Sequence, residues 1–497
     1  MKSSAPPAPQ ETRLIELWSL REDTTVRTAA DAAGTGLVST LWEDIRLPMT
    51  DPVVPRALER MTYGPVSLDN VLPGFSGADA VPGDPRRAAL RSMLEAVRHA
   101  VIRTLALTDG TEQVSVVPIM PEARFTPRMP PADTVHRLSR FATLRLGTRD
   151  MVLESPLSTH RVLLHTPHAM WLVGCYVRPA SVRETARLLD VPLEVVRKAV
   201  GYLEASGMLV PGSGGPEAGP PSFAEDRDPA LEHWSPRELM LHNRSRPGLH
   251  DEPLGLARRS TEDPGDPGDP GEPRPWADGT PLALPVPDLD RVLAADPRLT
   301  TALEARRSVR ADGGLPLSPA QLGELLYRSA RARPTAGRPY PSVGGVYPLE
   351  LYVTLAGPGE PKRGCYHYDP SAHTLHRLGT RPALVDALLA EAGAAAGLSA
   401  EPPVLISMTA RFRRIGAAYP GIAYSALLKE VGALQQTLYL VATAMGIGPC
   451  ALAFGDTEAS ARAFGLDWRA ESGVGEFVLA ALPGGAPPAG HGRNSHP

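Results

Sequence analysis

Between Thr261 and Pro275 the triplet Asp-Pro-Gly recurs three times in succession, from Asp263 to Gly271. Proline fixes φ and removes a backbone donor while glycine loosens the chain, so neither a helix nor a strand can run through this segment. The chain has to fold on either side of it. The run reads as an exposed linker, with no ligand of its own, inside a Pro/Gly/Asp-rich stretch spanning 251–279. Gly 46 and Pro 54 among 497 residues argue in the same direction, against one compact regular domain. At about 100–200 residues per domain, the length predicts about three domains, with tails at 1–12 and 486–497.

Composition removes several function classes. Lys+Arg 51 against Asp+Glu 55 gives a net charge of -4, whereas a nucleic-acid protein is usually basic. A hydrophobic content of 42% suffices for ordinary cores. The three cysteines, Cys175, Cys365 and Cys450, are far apart and lack CxxC or nearby Cys/His spacing, so neither a disulfide framework nor a zinc site is expected. No apolar segment follows Lys2, and no apolar run reaches the eighteen or so residues that span a bilayer. The expectation is a cytoplasmic protein with no membrane partner.

Upstream of the linker there is a weak internal repeat. Leu17-Trp18-Ser19-Leu20-Arg21 resembles Phe141-Ala142-Thr143-Leu144-Arg145, and Gly64-Pro65-Val66-Ser67-Leu68 echoes Arg178-Pro179-Ala180-Ser181-Val182. Short strands are expected at 36–41 and 44–47 in the first copy, and at 151–154 and 160–165 in the second. In the second copy Pro167 to Val177 reads as an apolar helix. Ser181 caps a helix to Leu189, with Glu184 placed for a capping box. Leu193 to Ala205 puts Val195, Val196, Val200 and Leu203 on one helical face, and Met208-Leu209-Val210 reads as a returning strand. This order is a winged-helix pattern, predicted over 13–125 and, with a bridge, over 137–250. The recognition-helix position carries only Arg197 and Lys198, too little to neutralise several phosphates. A peptide adding a strand to a sheet edge fits these modules better than DNA.

Downstream, 280–485 reads as one α+β domain. Helices are expected at 289–307, 318–332, 383–395 and 424–445. Strands are expected at 349–356, 364–368, 373–378, 404–410 and 476–481. The helix at 424–445 is apolar almost all round and is expected to be buried, with Gln436 unexplained by packing.

Three motifs in this domain carry chemistry. Arg306-Arg307-Ser308-Val309-Arg310 presents guanidiniums and a hydroxyl suited to a phosphate, although such a cluster is also what a solvated helix end looks like. Pro341-Ser342-Val343-Gly344-Gly345-Val346-Tyr347-Pro348 runs directly into a strand, and its paired glycines let the backbone approach a flat ligand at φ > 0. The third motif is the run from Ala410 through Tyr419-Pro420-Gly421-Ile422-Ala423-Tyr424 to Cys450 and Asp456.

With these motifs in order, the chain resembles the SagB-type flavin dehydrogenases of the nitroreductase superfamily, the azoline dehydrogenases of thiazole- and oxazole-modified peptide biosynthesis. The resemblance covers essentially the whole C-terminal domain, including Gly465-Leu466-Asp467-Trp468 and the stretch 474–480. The N-terminal modules and the segment from His233 to Arg246 resemble the leader-peptide-binding regions and bridge of such proteins. The resemblance implies non-covalent FMN at the interface of a homodimer. Arg306, Ser308 and Arg310 would hold its phosphate and ribityl chain, and Ser342, Gly344 and Gly345 would approach the ring. The loop from Gly448 to Gly455, with Ala451, Leu452 and Gly455, would line the ring, and Gln436 would also contact the cofactor. Its partners would be an azoline-containing precursor peptide and cyclodehydratase proteins.

One departure matters. The family's Lys-Tyr pair falls on Ala418 and Tyr419, so the lysine is absent. Only four lysines occur in the chain, Lys2, Lys198, Lys362 and Lys429, and Lys429 is the sole nearby substitute. Tyr419 becomes the expected general base, which requires a depressed pKa near neutral pH, with a packed aromatic beside a turn as the alternative. Where a glycine-rich run is usual, Ala453-Phe454 precedes Gly455. Two further readings stay open: a catalytically weakened scaffold subunit of the azole-forming complex, and an NAD(P)H nitroreductase acting on small molecules.

Overall fold

The computed structural model describes residues 13–28, 34–75, 83–213, 220–252, 277–310, 314–334 and 337–482. The expected tails at 1–12 and 486–497 and the Asp-Pro-Gly run lie outside the described residues. The chain divides into two units, one ending at Glu252 and the other beginning at Pro253.

In the first unit, alternating strands build a six-stranded antiparallel sheet in the order Leu14–Leu20, Val101–Leu107, Glu112–Pro118, His160–Leu164, Met151–Glu154, Thr143–Leu146. Strands from 13–125 and from 137–250 thus share one sheet. On its inner face Leu105, Val116, Val162 and Leu164 pack against Val200, Tyr202 and Leu203 of the helix Leu193–Ala205. Ahead of that helix, Val182–Leu189 begins at Ser181 with both bonds of a capping box to Glu184, an arrangement that typically contributes about 1 kcal/mol. Asp190 ends it in the left-handed conformation, φ 52°. Leu209–Ser213 then returns between Val135–Leu138 and Ser222–Phe223. In the earlier part, Thr25–Arg27, Thr35–Ser39 and Asp44–Pro48 form a small sheet, and the helices Val53–Tyr63 and Pro85–Ala96 bury Leu58, Met61 and Leu90 in a core that includes Val38 and Leu47.

The second unit is α+β. Its strands are β1 (Ala277–Ala283), β2 (Leu349–Leu355), β3 (Gly364–Asp369), β4 (Thr374–Leu378), β5 (Val404–Arg411), β6 (Ile447–Leu452) and β7 (Glu471–Ala481). They pair antiparallel in the order β1-β4-β3-β2-β5-β7-β6. Its helices are α1 (Leu289–Ala295), α2 (Leu299–Ala305), α3 (Pro319–Ala330), α4 (Pro382–Ala396), α5 (Phe412–Ala418), α6 (Ala423–Ala444) and α7 (Thr457–Phe464). The central strands are apolar on both faces because both are covered, as such continuous apolar runs require. α3 and α6 pack on one face through Leu325, Leu326, Leu434 and Leu438. α4 and α7 pack on the other through Leu388, Leu389, Ala463 and Phe464.

Three sequence expectations are corrected here. The helix expected over 289–307 is two, broken where Asp296 takes φ -61° and ψ 140°, because Pro297 excludes the α region for the residue before it. Gly448 to Gly455 is not a loop throughout, since β6 runs to Leu452 and pairs with β7. α6 is buried on one side only. Ala426, Leu427, Glu430, Val431, Leu434 and Leu438 face the core, while Tyr424, Leu428, Gly432 and Gln436 are exposed.

Candidate active site

The turn that precedes β2 contains Ser342, Val343, Gly344 and Gly345. Both glycines are left-handed, at φ 62° and φ 68°, a conformation open to glycine at little cost. Both are exposed. Among the described residues, its chain neighbours aside, no heavy atom lies within 4 Å of where a Cβ on Gly345 would stand, so the backbone is open to a flat ligand from that side. At Gly344 the position of a Cβ is already taken by the hydroxyl of Tyr419.

Tyr419 follows α5, where it ends the helix, and its ring is buried in the core shared with Tyr340, Leu349 and Ile415. Sequence reading named this tyrosine and the glycine pair separately, and the fold brings them into contact. Ala418 is half-buried and Lys429 is exposed.

What holds the turn is a residue sequence reading missed. Glu430 of α6 is 2% exposed. Its Oε1 accepts hydrogen bonds from Ser342 Oγ and from the Val343 amide, both at 2.8 Å. Ser342 Oγ in turn accepts the Tyr347 amide at 2.8 Å. Ser342 therefore serves the shape of its own turn. Burial raises the Glu430 carboxyl above its ordinary range, against the lowering effect of these bonds and of Arg338. Buried Arg338 pins the base of the same loop, donating to Leu349 O at 2.8 Å and to the Tyr340 hydroxyl at 3.1 Å. At the loop's end Arg414 donates to Tyr347 O at 3.1 Å, and Tyr347 itself has φ 48°. The signal for Glu430 was available in principle: it is a lone carboxylate at helical spacing within the apolar stripe Ala426, Val431, Leu434, and a buried charge needs a partner.

The second cluster lies nine residues further along α6, about 13 Å at the helical rise. Tyr439 shares a hydrogen bond of 2.7 Å with Ser308 and accepts the Ala451 amide of β6 at 2.8 Å. Arg306 lies 5.3 Å from the centre of the same ring. Ser308 and Arg310 are exposed, and Arg306 is half-buried. The predicted residues Arg306, Ser308 and Ala451 thus converge on Tyr439, which was not predicted. Exposed Gln436 sits on α6 between the two clusters in sequence. An exposed cationic and hydroxyl cluster and an open left-handed turn, set along one helix, suit a flat ring bearing a phosphate on a chain.

Past β6, Leu452 is buried and Phe454 is exposed. Gly455 lies against the carboxylate of Glu476, leaving no room for a Cβ. Glu476 lines a small cavity with Glu391, Ser407, Phe454 and Ser460. Burial, reinforced by Glu391, pushes its carboxyl up to about 7. Among the described residues no group of His, Cys, Asp and Glu is arranged to hold a metal ion. No helix among the described residues is long and apolar enough to cross a membrane. In the first unit, Arg197 pairs with Glu194 at 2.9 Å and Lys198 with Glu16 at 3.1 Å, so both cations of the recognition-helix position are engaged within the protein.

Comparison with known proteins finds a family match to a segment of each unit. Residues 136–251 match the cyanobactin oxidase ThcOx family, and residues 303–480 match the nitroreductase family. A protein of Methanocaldococcus jannaschii described as a nitroreductase is 29% identical over 182 residues, covering 36% of this chain and 88% of that protein. Among solved structures, a nitroreductase of Ralstonia eutropha aligns at 21% identity over 47% of this chain and 99% of its own, with a TM-score of 0.32. The microcin synthetase McbBCD of E. coli, solved with truncated pro-MccB17 bound, aligns at 22% identity over 34% of this chain and 65% of that chain, with a TM-score of 0.30.

Proposed function

We propose that this chain, an FMN-dependent oxidoreductase of the SagB type in the nitroreductase superfamily, oxidises thiazoline and oxazoline rings of a ribosomally made peptide to thiazoles and oxazoles. One observation carries the reading: a segment matched to a cyanobactin oxidase and a segment matched to nitroreductases lie on the same chain. The contact of Tyr419 with Gly344 supports the assignment of roles within it.

When bound, FMN would supply the hydride acceptor for the ring carbon, with molecular oxygen as the terminal oxidant. The protein's own residues do the rest. Arg306 and Arg310, with Ser308 braced by Tyr439, hold the phosphate and ribityl chain, and the Ala451 amide is turned inward to the same hydroxyl. Gly344 and Gly345 offer backbone without side chains to the ring, with Gln436 and the backbone of Leu452 and Gly455 completing its surroundings. Tyr419, at the edge of the turn, takes in its phenolate form the proton that leaves the azoline carbon, since a neutral phenol cannot receive it. Proton and hydride together account for the two hydrogens lost per ring.

The first unit supplies peptide recognition in this reading. Its winged-helix-like modules leave sheet edges at Thr143–Leu146 and Ser222–Phe223, and Leu146 is 76% exposed, which suits an extended precursor peptide or a cyclodehydratase partner adding a strand. The second unit works as a homodimer in the cytoplasm. α1 buries no residue, and Leu293, Leu299, Tyr424 and Leu428 are all exposed, an apolar surface that a second copy would cover. Light scattering should give the mass of two chains.

Ala418, standing where the family lysine is expected, favours a second reading, a scaffold subunit with weakened chemistry. The two separate on Tyr419→Phe: azole formation by the complex falls if the chain is the oxidant and is unchanged if it only scaffolds.

A further inference from the structure

We propose that Glu430 is the positioning residue of the flavin site, the group that seats the Ser342–Gly345 turn against Tyr419 so that cofactor and proton acceptor are presented together. Three observations converge on it. Glu430 is buried, yet one carboxylate oxygen binds two consecutive residues of the turn, Ser342 and Val343. The residue after them, Gly344, is the one at which a Cβ would meet the Tyr419 hydroxyl. The other oxygen, Oε2, is buried without a hydrogen-bond partner among the described residues.

That asymmetry is informative. A buried carboxylate kept only for stability would be expected to use both oxygens, because an unpaired one loses its hydration without return. Glu430 accepts this cost while bonding only the turn. A carboxylate at this point in α6 fixes the turn from beneath and leaves its outer surface, Gly344 and Gly345, free of side chains. Among the described residues, side chains from outside the turn also reach its loop from Arg338 at Leu349 and from Arg414 at Tyr347, and within it Gly345 N–H donates to Ser342 O and Tyr347 N–H to Ser342 Oγ. With the family lysine replaced by Ala418, Tyr419 depends on this geometry, since the turn is what its hydroxyl rests against. The inference uses the FMN site but not the identity of the substrate.

The test compares Glu430→Gln and Glu430→Ala in the full-length chain. FMN dissociation constants are measured by flavin fluorescence, bound-flavin absorption and visible circular dichroism are recorded, and far-ultraviolet circular dichroism checks the fold. Glutamine keeps the accepting oxygen, so its FMN affinity should stay within about threefold of wild type and the flavin spectrum should be preserved. Alanine leaves the Ser342 hydroxyl and the Val343 amide unpaired, so affinity should fall by about tenfold or more, with an altered flavin spectrum in a folded protein. Wild-type affinity and spectrum in Glu430→Ala would overturn the proposal. So would a glutamine variant as impaired as alanine, which would assign the role to charge. If the alanine variant does not fold, Ser342→Ala decides: it removes one of the two bonds and should shift both affinity and spectrum, and no shift would overturn the proposal. A wild-type chain that takes up no FMN would instead remove the cofactor reading, and this inference with it.

Discussion

The hydroxyl of Tyr419 occupies the space in which a side chain on residue 344 would begin, so Gly344 is required there twice, once for its φ of 62° and once for its missing Cβ. Gly345, at φ 68°, is required only for its backbone, because among the described residues, its chain neighbours aside, no heavy atom stands within 4 Å of a Cβ there. Gly344→Ala should therefore cost about 2–3 kcal/mol and displace Tyr419, whereas Gly345→Ala should cost about 1 kcal/mol. Thermal unfolding of both variants, with FMN titration, measures the difference. Equal effects would contradict the contact.

Tyr439 bridges Ser308 and the Ala451 amide. Tyr439→Phe keeps the ring under Arg306 and removes both bonds, leaving two polar groups without their shared partner. Loss of one such hydroxyl typically costs about 1–2 kcal/mol. FMN affinity should drop about tenfold, with the loss arising mainly from the phosphate end. Weakened binding of FMN but not of riboflavin would locate the effect at that end, and equal losses for the two would argue against the phosphate assignment.

Glu476 sets a pH dependence. Its carboxyl is raised from 4.5 to about 7 by burial and by Glu391, whose own carboxyl is also raised by burial. Between these values the folded state holds a proton that the unfolded state has released, so stability falls as pH rises from about 4.5 to about 7 and the loss is complete above that. Glu476→Gln should flatten the decline and stabilise the protein above pH 7 by on the order of 1–2 kcal/mol. Melting temperatures of both proteins from pH 5 to pH 8 test this. Parallel curves would show that Glu476 is not responsible.

Much of this architecture was legible in the amino-acid sequence because it rests on local periodicity. Leu193–Ala205 and the Ser181–Glu184 cap follow from helical spacing and capping chemistry, and the strand at Leu349 follows from its apolar run. What escaped depends on distant neighbours. The break at Asp296 was local and readable from Pro297, but β6 looks like a glycine loop until β7 pairs with it. The exposure of Gln436 could not be inferred from an apolar helix, because apolar positions on its outer face look the same as core positions until the neighbouring elements are placed. Among the candidate site residues, Tyr419 and Gly344 were named one by one through their motifs, but their contact and the Glu430 and Tyr439 bonds connect residues far apart in sequence.

Tyr419 separates chemistry from binding. Tyr419→Phe preserves the ring in its core site and removes only the proposed proton acceptor. FMN binding should match wild type, while azoline oxidation should fall on the order of a hundredfold. Single-turnover flavin reduction by an azoline peptide, followed by absorbance, gives the rate directly. An unchanged rate would assign the proton to another group and favour the scaffold reading.

The most direct measurement is mass spectrometry of an azoline-containing peptide incubated in air with the FMN-loaded full-length protein. The expected result is the loss of two hydrogens per converted ring, dependent on FMN and slowed on the order of a hundredfold with Tyr419→Phe. An FMN-loaded protein that leaves every azoline intact, yet reduces a nitroaromatic with NADPH, would contradict it.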